Sequence, residues 1–126
     1  MSGKSSAGPG STIRVTDFRN VTIKIATSGL ANLTIKTQWA ISTTVAPDTP
    51  IDFSLAQSVA NTWENIQMVD LKNASSVDGN VGIAFAGADG YRLLSLNTAN
   101  LDWITLNITT YVAGAVTAEV LLSTNI

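Results

Sequence analysis

Residues 101–123 read LDWITLNITTYVAGAVTAEVLLS, and this stretch decides the fold class. In its first half Ile104, Leu106 and Ile108 alternate with polar residues, and its second half alternates in the same way. A period of two is the repeat of a β-strand with one buried face. The Ala113-Gly114 pair between the halves predicts a turn. The stretch is therefore interpreted as two strands.

The same alternation occurs near the start of the chain. Residues 21–26 (VTIKIA) and 33–41 (LTIKTQWAI) both alternate, and Ser28-Gly29 between them predicts a turn. We interpret the pair as a β-hairpin. Trp39 shares a face with Leu33 and Ile35 and is expected in the core.

The middle of the chain continues the β pattern with clear turn signals. Thr43–Pro50 predicts a loop, 51–55 a short strand, and Asp78-Gly79 and Asp89-Gly90 predict tight turns. Strands are also expected at 63–71, 81–85 and 91–96, and no helix beyond one turn at 54–60. About eight strands at spacings of about 8–12 residues favour an all-β, single jelly-roll-like β-sandwich. We assign residues 1–12 to a flexible, Gly/Ser-rich N-terminal arm and 13–126 to the sandwich domain.

Composition leaves little material for catalysis. The chain of 126 residues contains no Cys and no His, which excludes thiol nucleophiles, disulfides and His-based acid–base chemistry. Several of its acids, such as Asp48, Asp78 and Asp89, fall at turns, where Asp is expected for backbone reasons. No calcium-loop or phosphate-loop motif is complete. We therefore expect no catalytic residue, no metal site and no cofactor.

Charge is unevenly distributed along the chain. The net charge of −2 argues against a nucleic-acid partner. Lys4, Arg14 and Arg19 lie in a basic N-terminal third that could contact an acidic partner or a neighbouring copy, although dispersed charges also serve solubility alone. The N-terminus has no apolar signal-peptide core, and no apolar run reaches the roughly 20 residues that span a membrane. We expect a soluble protein, since nothing in the sequence directs export.

The tryptophans have three interpretations: core, interface or a sugar-stacking platform. Trp103 lies opposite Ile104 and Leu106 in the alternation, so its side chain is expected to point outward, toward a neighbour. Trp63 is a second interface candidate. We rank core or interface above sugar binding.

From Phe18 to its end the chain resembles small β-rich structural proteins of tailed bacteriophages. The resemblance rests on FRNVTIKIATSG (18–29), NTWENIQMVDL (61–71) and the 101–123 stretch, with a Trp before an apolar strand, a Y-x-x-G turn at Tyr111 and a final strand rich in Val and Leu. It implies a jelly-roll-like capsid cement or decoration protein that is made in the host cytoplasm and lies on the virion surface. Such subunits bind the major capsid protein, often as trimers, and hold neighbours with extended N-terminal segments.

The interface candidates are accordingly Lys4, Arg14, Arg19, Trp63, Trp103 and Tyr111. The low charge supports an oligomer independently, because few charged side chains are available to protect exposed strand edges. A phage tail or fibre-base component and a carbohydrate-binding module remain the alternative interpretations.

Overall fold

The computed structural model describes residues 1–40, 64–98 and 101–124, and in these ranges the chain is all-β, as predicted. Among the described residues, nine strands form one open antiparallel sheet. The strands are β1 (Gly8–Pro9), β2 (Ile13–Arg14), β3 (Asn20–Ala40), β4 (Glu64–Asn65), β5 (Met68–Asp70), β6 (Ser75–Val77), β7 (Ile83–Ala86), β8 (Tyr91–Asn97) and β9 (Trp103–Ser123). The finer prediction of a jelly-roll-like sandwich is not confirmed by this topology.

Strands β3 and β9, of 21 residues each, pair along their whole length and form the backbone of the fold. The predicted hairpin at Ser28-Gly29 and the predicted turn at Ala113-Gly114 are therefore wrong, because the chain continues through both points without reversing. The register shifts there instead, between Ser28 and Asn32. Gly29, Leu30 and Gly114 all have positive φ, so these residues absorb a β-bulge rather than a hairpin turn.

The bulge divides this ribbon into two halves with different neighbours. We call residues 20–28 with 115–123 the first half-ribbon, and residues 32–40 with 103–113 the second half-ribbon. Strand β8 pairs with β3 in the first half-ribbon, and β5 and β6 extend the sheet beyond β8. Strands β7 and β4 pair with β3 in the second.

One hydrophobic core serves both half-ribbons. Alternate residues of β3, such as Val21, Ile25 and Ile35, have no exposed surface and belong to the same cluster as Leu94 of β8. Trp39 is half-buried and packs against this cluster, as its predicted face requires. The period of two thus identified the buried face of β3 on both sides of the bulge.

The N-terminal residues lie along the outer edge of β9. Lys4 and Val116 exchange two backbone hydrogen bonds of 2.9 Å, and Gly10 N–H donates to the Leu106 carbonyl at 2.8 Å. Strands β1 and β2 pair with the second half-ribbon, and Met1 packs on the core. The predicted loop at Thr43–Pro50, strand at 51–55, helical turn at 54–60 and side chain of Trp63 lie outside the described residues.

Candidate interaction surface

The sheet face opposite the core is open over the first half-ribbon. Register places Leu121, Thr22, Ser95 and Val69 in one row across four strands. Glu119, Lys24 and Leu93 form the next row, and Leu71 continues it, since its N–H donates to the Leu93 carbonyl at 2.9 Å. Tyr91 belongs to a third row, beside Ala26.

Large apolar side chains dominate this surface. Leu121 is 71 % exposed and Tyr91 75 %, and three more apolar side chains, Val69, Leu71 and Leu93, are between 38 % and 46 % exposed. We call these five residues, with Lys24 and Glu119, the outer face. Exposed apolar side chains are ordinary when scattered, but grouping on one face is typical of a surface that contacts another protein.

Lys24 and Glu119 provide the charge of the outer face. They are neighbours in the β3–β9 register, and both side chains are exposed. The surface therefore carries one positive and one negative group among apolar side chains. Such a surface suits a partner of mixed polarity better than a strongly charged one.

The predicted interface residues lie elsewhere. Trp103 is only 3 % exposed, so the expectation that its side chain points outward is wrong. The physical reason is that residues 103–108 of β9 are buried on both faces, so alternation there does not separate inside from outside. Tyr111 is half-buried, and its hydroxyl donates to the Gly114 carbonyl at 2.9 Å.

The three basic candidates lie along the N-terminal stretch of the chain. Lys4 is bridged to Val116, and its ammonium donates to Ser6 Oγ at 3.4 Å. Arg14 pairs with Trp103 in β2–β9, and its guanidinium donates to Thr16 Oγ1 at 3.2 Å. Arg19 is exposed beside the end of β9, where its N–H donates to the Ser123 carbonyl. None of the three belongs to the outer face.

Sequence reasoning missed the outer face, although a signal for it exists. Alternation assigns one residue of each adjacent pair to the core, so in Leu93-Leu94 and Leu121-Leu122 one leucine had to face outward. In the structure Leu94 is the buried member of its pair and Leu93 is the exposed one. Consecutive leucines in an otherwise alternating strand are the feature that would have indicated an apolar outer surface.

A second feature of the surface is a polar pocket beside β4, β5 and β6. The cavity has a volume of about 450 Å³ and is lined by Asn65, Gln67, Ser76, Asp78, Gly79 and Asn80. Asn65 Nδ2 donates to Asn80 Oδ1 at 3.1 Å, and Gln38 Nε2 donates to Asn65 Oδ1 at 3.2 Å. The row of amides continues to Asn107, whose Nδ2 donates to Gln38 Oε1 at 3.4 Å.

An ion pair between a buried carboxylate and a half-buried guanidinium links β8 to β5. Arg92 Nη2 lies 2.9 Å from Asp70 Oδ2, and the Asp70 side chain is only 5 % exposed. The other Asp70 oxygen accepts the Lys72 N–H at 2.9 Å, which forms the turn after β5. Both carboxylate oxygens are thus occupied, and we assign the pair a structural role.

Within residues 1–40, 64–98 and 101–124, no three acidic side chains come together as metal ligands. The described ranges also include no helix with the length and hydropathy of a membrane span.

The comparisons with known proteins give a likeness of fold. No family model and no curated protein matches the chain. Among solved structures, the crystal structure of the SPBc2 prophage-derived protein YomS matches 95 % of this chain and 87 % of that one, with a TM-score of 0.59 and 11 % sequence identity. At that identity the likeness concerns the fold alone.

Proposed function

We propose that this chain is a non-enzymatic structural subunit of a bacteriophage particle, a cement or decoration protein that binds the outer capsid surface and stabilises the shell. The observation that carries the proposal is the outer face, an exposed apolar surface on a rigid sheet. The fold likeness to a prophage-derived protein supports the phage assignment.

The outer face suits the centre of a protein interface. Its five apolar side chains project from β9, β8 and the β5 region of one sheet, in which β3 lies between β9 and β8, so the sheet sets their positions before binding. Each Å² of apolar surface that is buried in a contact stabilises that contact by roughly 25 cal/mol. Stable interfaces bury roughly 800 Å² on each partner. The outer face would therefore form the apolar centre of a larger contact whose rim is polar.

The partners proposed are the major capsid protein and further copies of this chain, arranged as a trimer. A shell subunit meets identical neighbours around it, and symmetric association covers the same surface on each copy. Lys24 and Glu119 would set the orientation of the contact, because a charged side chain discriminates between partners more than it adds affinity.

The N-terminal residues offer a second means of attachment. They occupy the edge of β9 through backbone hydrogen bonds. Backbone groups at a strand edge can pair with any extended segment that runs in the same direction as these N-terminal residues, including one from another subunit. We propose that residues 1–12 exchange onto a neighbouring subunit when the particle assembles. Lys4 and the nearby Arg14 and Arg19 would then contact acidic groups of that neighbour.

Fractionation of a lysate from the producing cells tests the proposal. We expect the chain to sediment with intact particles in a density gradient and, after particle disruption, with heads rather than tails. Sedimentation with tails would replace the capsid role by the tail or fibre-base role. A chain found only as a small soluble species would overturn the particle proposal.

Paired substitutions test the outer face itself. We expect the double variant Leu93→Thr, Leu121→Thr to bind particles at least about tenfold more weakly, because a contact that loses ~1.4 kcal/mol loses a factor of ten. Threonine preserves β propensity, so the fold should be retained. The matched control is Val81→Thr, Val112→Thr, at positions 69 % and 66 % exposed but outside the outer face. Equal binding by both double variants would remove the outer face from the proposal.

A further inference from the structure

The polar pocket beside β4, β5 and β6 is lined almost entirely by hydrogen-bonding groups, and the particle role makes no use of it. Five of its six lining residues carry an amide, hydroxyl or carboxylate group, and the sixth is glycine. Its volume of about 450 Å³ lies in the usual range of small-molecule sites, roughly 300–1,000 Å³. From these groups and their arrangement we infer that it binds a neutral sugar ring.

The pocket is held in shape before any ligand arrives. Asp78 Oδ1 accepts the Asn80 N–H at 2.8 Å, which closes the turn at one side. Gly79 packs directly on Ile66, since a Cβ at Gly79 would lie 2.6 Å from the Ile66 carbonyl group. The Ile66 N–H in turn donates to the Thr37 carbonyl of β3 at 2.9 Å. The turn, the β4–β5 segment and the central strand are therefore joined.

The side chains of the pocket keep hydrogen-bonding capacity for a ligand. Asn80 uses its side-chain oxygen on Asn65, which leaves both N–H groups of its own amide as donors. Asp78 uses Oδ1 on the turn, which leaves Oδ2 as an acceptor. Gln67 and Ser76 are both exposed at the pocket wall and add an amide and a hydroxyl. Donors and acceptors are thus both present within one cavity.

This set of groups selects against other ligand classes. Among the described residues, the lining contains no Lys or Arg and does contain Asp78, so an anion such as phosphate would meet a negative charge without a compensating cation. One carboxylate among amides is a poor set for a divalent cation, which takes six or more oxygen ligands with several charged. An apolar ligand would leave the amides without partners, which is unfavourable.

A sugar ring matches a pocket that offers both hydrogen-bond donors and hydrogen-bond acceptors. Its hydroxyl groups both donate and accept, so one ring can satisfy the Asp78 carboxylate as a donor and the Asn80 amide as an acceptor at the same time. The amide row from Asn107 through Gln38 to Asn65, which continues to Asn80, fixes the orientation of the Asn65 amide, so the fold sets the positions of these groups at the pocket. The inference goes beyond the particle role and does not depend on it.

The test is an amide-shift titration of the whole protein with named sugars. The ¹⁵N-labelled chain is titrated with glucose, N-acetylglucosamine, and the neutral trisaccharides cellotriose, maltotriose and N,N′,N″-triacetylchitotriose, each to about 10 mM, since we expect an open polar site to have a Kd on the order of 1 mM. We expect at least one sugar to shift the backbone amides of 65–67 and 76–80. Tighter binding of a trisaccharide than of its monosaccharide would identify a polysaccharide segment as the ligand. Equal binding of the two would identify a terminal or free sugar as the ligand.

Single substitutions distinguish sugar binding in the pocket from nonspecific sugar binding elsewhere on the protein. Asn80→Ala and Asp78→Asn should each weaken binding about tenfold. Asp78→Asn retains an oxygen for the turn and so guards against a variant that fails to fold. Asn32→Ala, an exposed amide on β3 outside the pocket, should leave binding unchanged. No shifts with any of the five sugars, shifts outside the pocket, or equal binding by Asn80→Ala would overturn the inference. The Leu93→Thr, Leu121→Thr variant should still bind sugar, so failure of the particle role remains distinguishable.

Discussion

The two half-ribbons are made of the same two strands, yet they present opposite surfaces. In the first half-ribbon the face away from the core exposes apolar side chains such as Leu121. In the second half-ribbon the corresponding face of β9 is buried between residues 103 and 108 although it carries polar side chains there, with Thr105 at 1 % exposure and Asn107 at 8 %. In these two stretches of β9, an apolar side chain is therefore exposed in one and polar side chains are buried in the other.

Hydrogen bonds explain why the second half-ribbon tolerates buried polar groups. Thr105 Oγ1 lies within hydrogen-bond distance of the Gly10 and Ser11 carbonyls, at 3.3 and 3.2 Å, and Asn107 donates to Gln38. A buried polar group that keeps its partners costs little. The Gly10 and Ser11 carbonyls of the N-terminal stretch thus lie beside the polar side chain that is buried on this face of the second half-ribbon. The alternation of a strand therefore identifies its two faces, but it does not identify the segment of chain that packs on each face.

The largest expected effect comes from breaking the junction between the two half-ribbons. Gly114 has φ of +95°, and a Cβ there would lie 2.5 Å from Ala31 Cα. We expect Gly114→Ala to lower the free energy of unfolding by about 4 kcal/mol, since it combines backbone strain with a clash against main chain. Chemical denaturation followed by tryptophan fluorescence measures this change.

The matched control for that substitution is Gly87→Ala. Gly87 has a similar φ of +85°, but a Cβ added there would meet no atom of the described residues within 4 Å beyond its own chain neighbours. It should cost only about 1 kcal/mol, the conformational part of the effect. Equal losses for the two variants would mean that the close approach of Gly114 to Ala31 does not hold the half-ribbons together.

A smaller expected effect tests whether only one face of the first half-ribbon is buried. Leu94 is fully buried, and its neighbour Leu93 on the opposite face is 43 % exposed. We expect Leu94→Ala to cost about 3 kcal/mol and Leu93→Ala less than about 1 kcal/mol, because only the first leaves a cavity in the core. The same denaturation experiment gives both values, and a cost at Leu93 as large as that at Leu94 would show that the outer face is already covered in the isolated protein.

Sequence reasoning succeeded where a strand has one buried face and one polar face. The alternation at Val21, Ile23 and Ile25 predicted their burial correctly, and the segment 91–96 agrees with β8 to within one residue. The all-β class followed from the same period of two, because that period depends only on local geometry.

Prediction from the sequence failed where one local pattern is compatible with two different backbone structures. Ser28-Gly29 and Ala113-Gly114 both resemble turns, but the glycines instead supply positive φ for a bulge between long paired strands. Trp103 was expected outside because its neighbours in the alternation are core residues, and it is buried because both faces of that segment are covered. The outer face and the pocket both depend on residues brought together by strand pairing, which a single sequence does not specify.

The smallest expected effect concerns the side chain that secures the bulge. Asp89 accepts the Leu30 N–H at 3.1 Å and the Ala31 N–H at 3.0 Å, one on each carboxylate oxygen. Asp89→Ala should cost about 1 kcal/mol, since two backbone donors near the surface lose a partner but gain access to water. Asp89→Asn should cost about half as much, because it retains one acceptor oxygen. Asp17→Ala, at an exposed turn position, is the control and should change the free energy of unfolding by less than about 0.5 kcal/mol. Amide exchange at Leu30 and Ala31 gives a second measurement: if these two amides stay as protected in Asp89→Ala as in the parent protein, the bulge is held by the ribbon backbone and Gly114 alone.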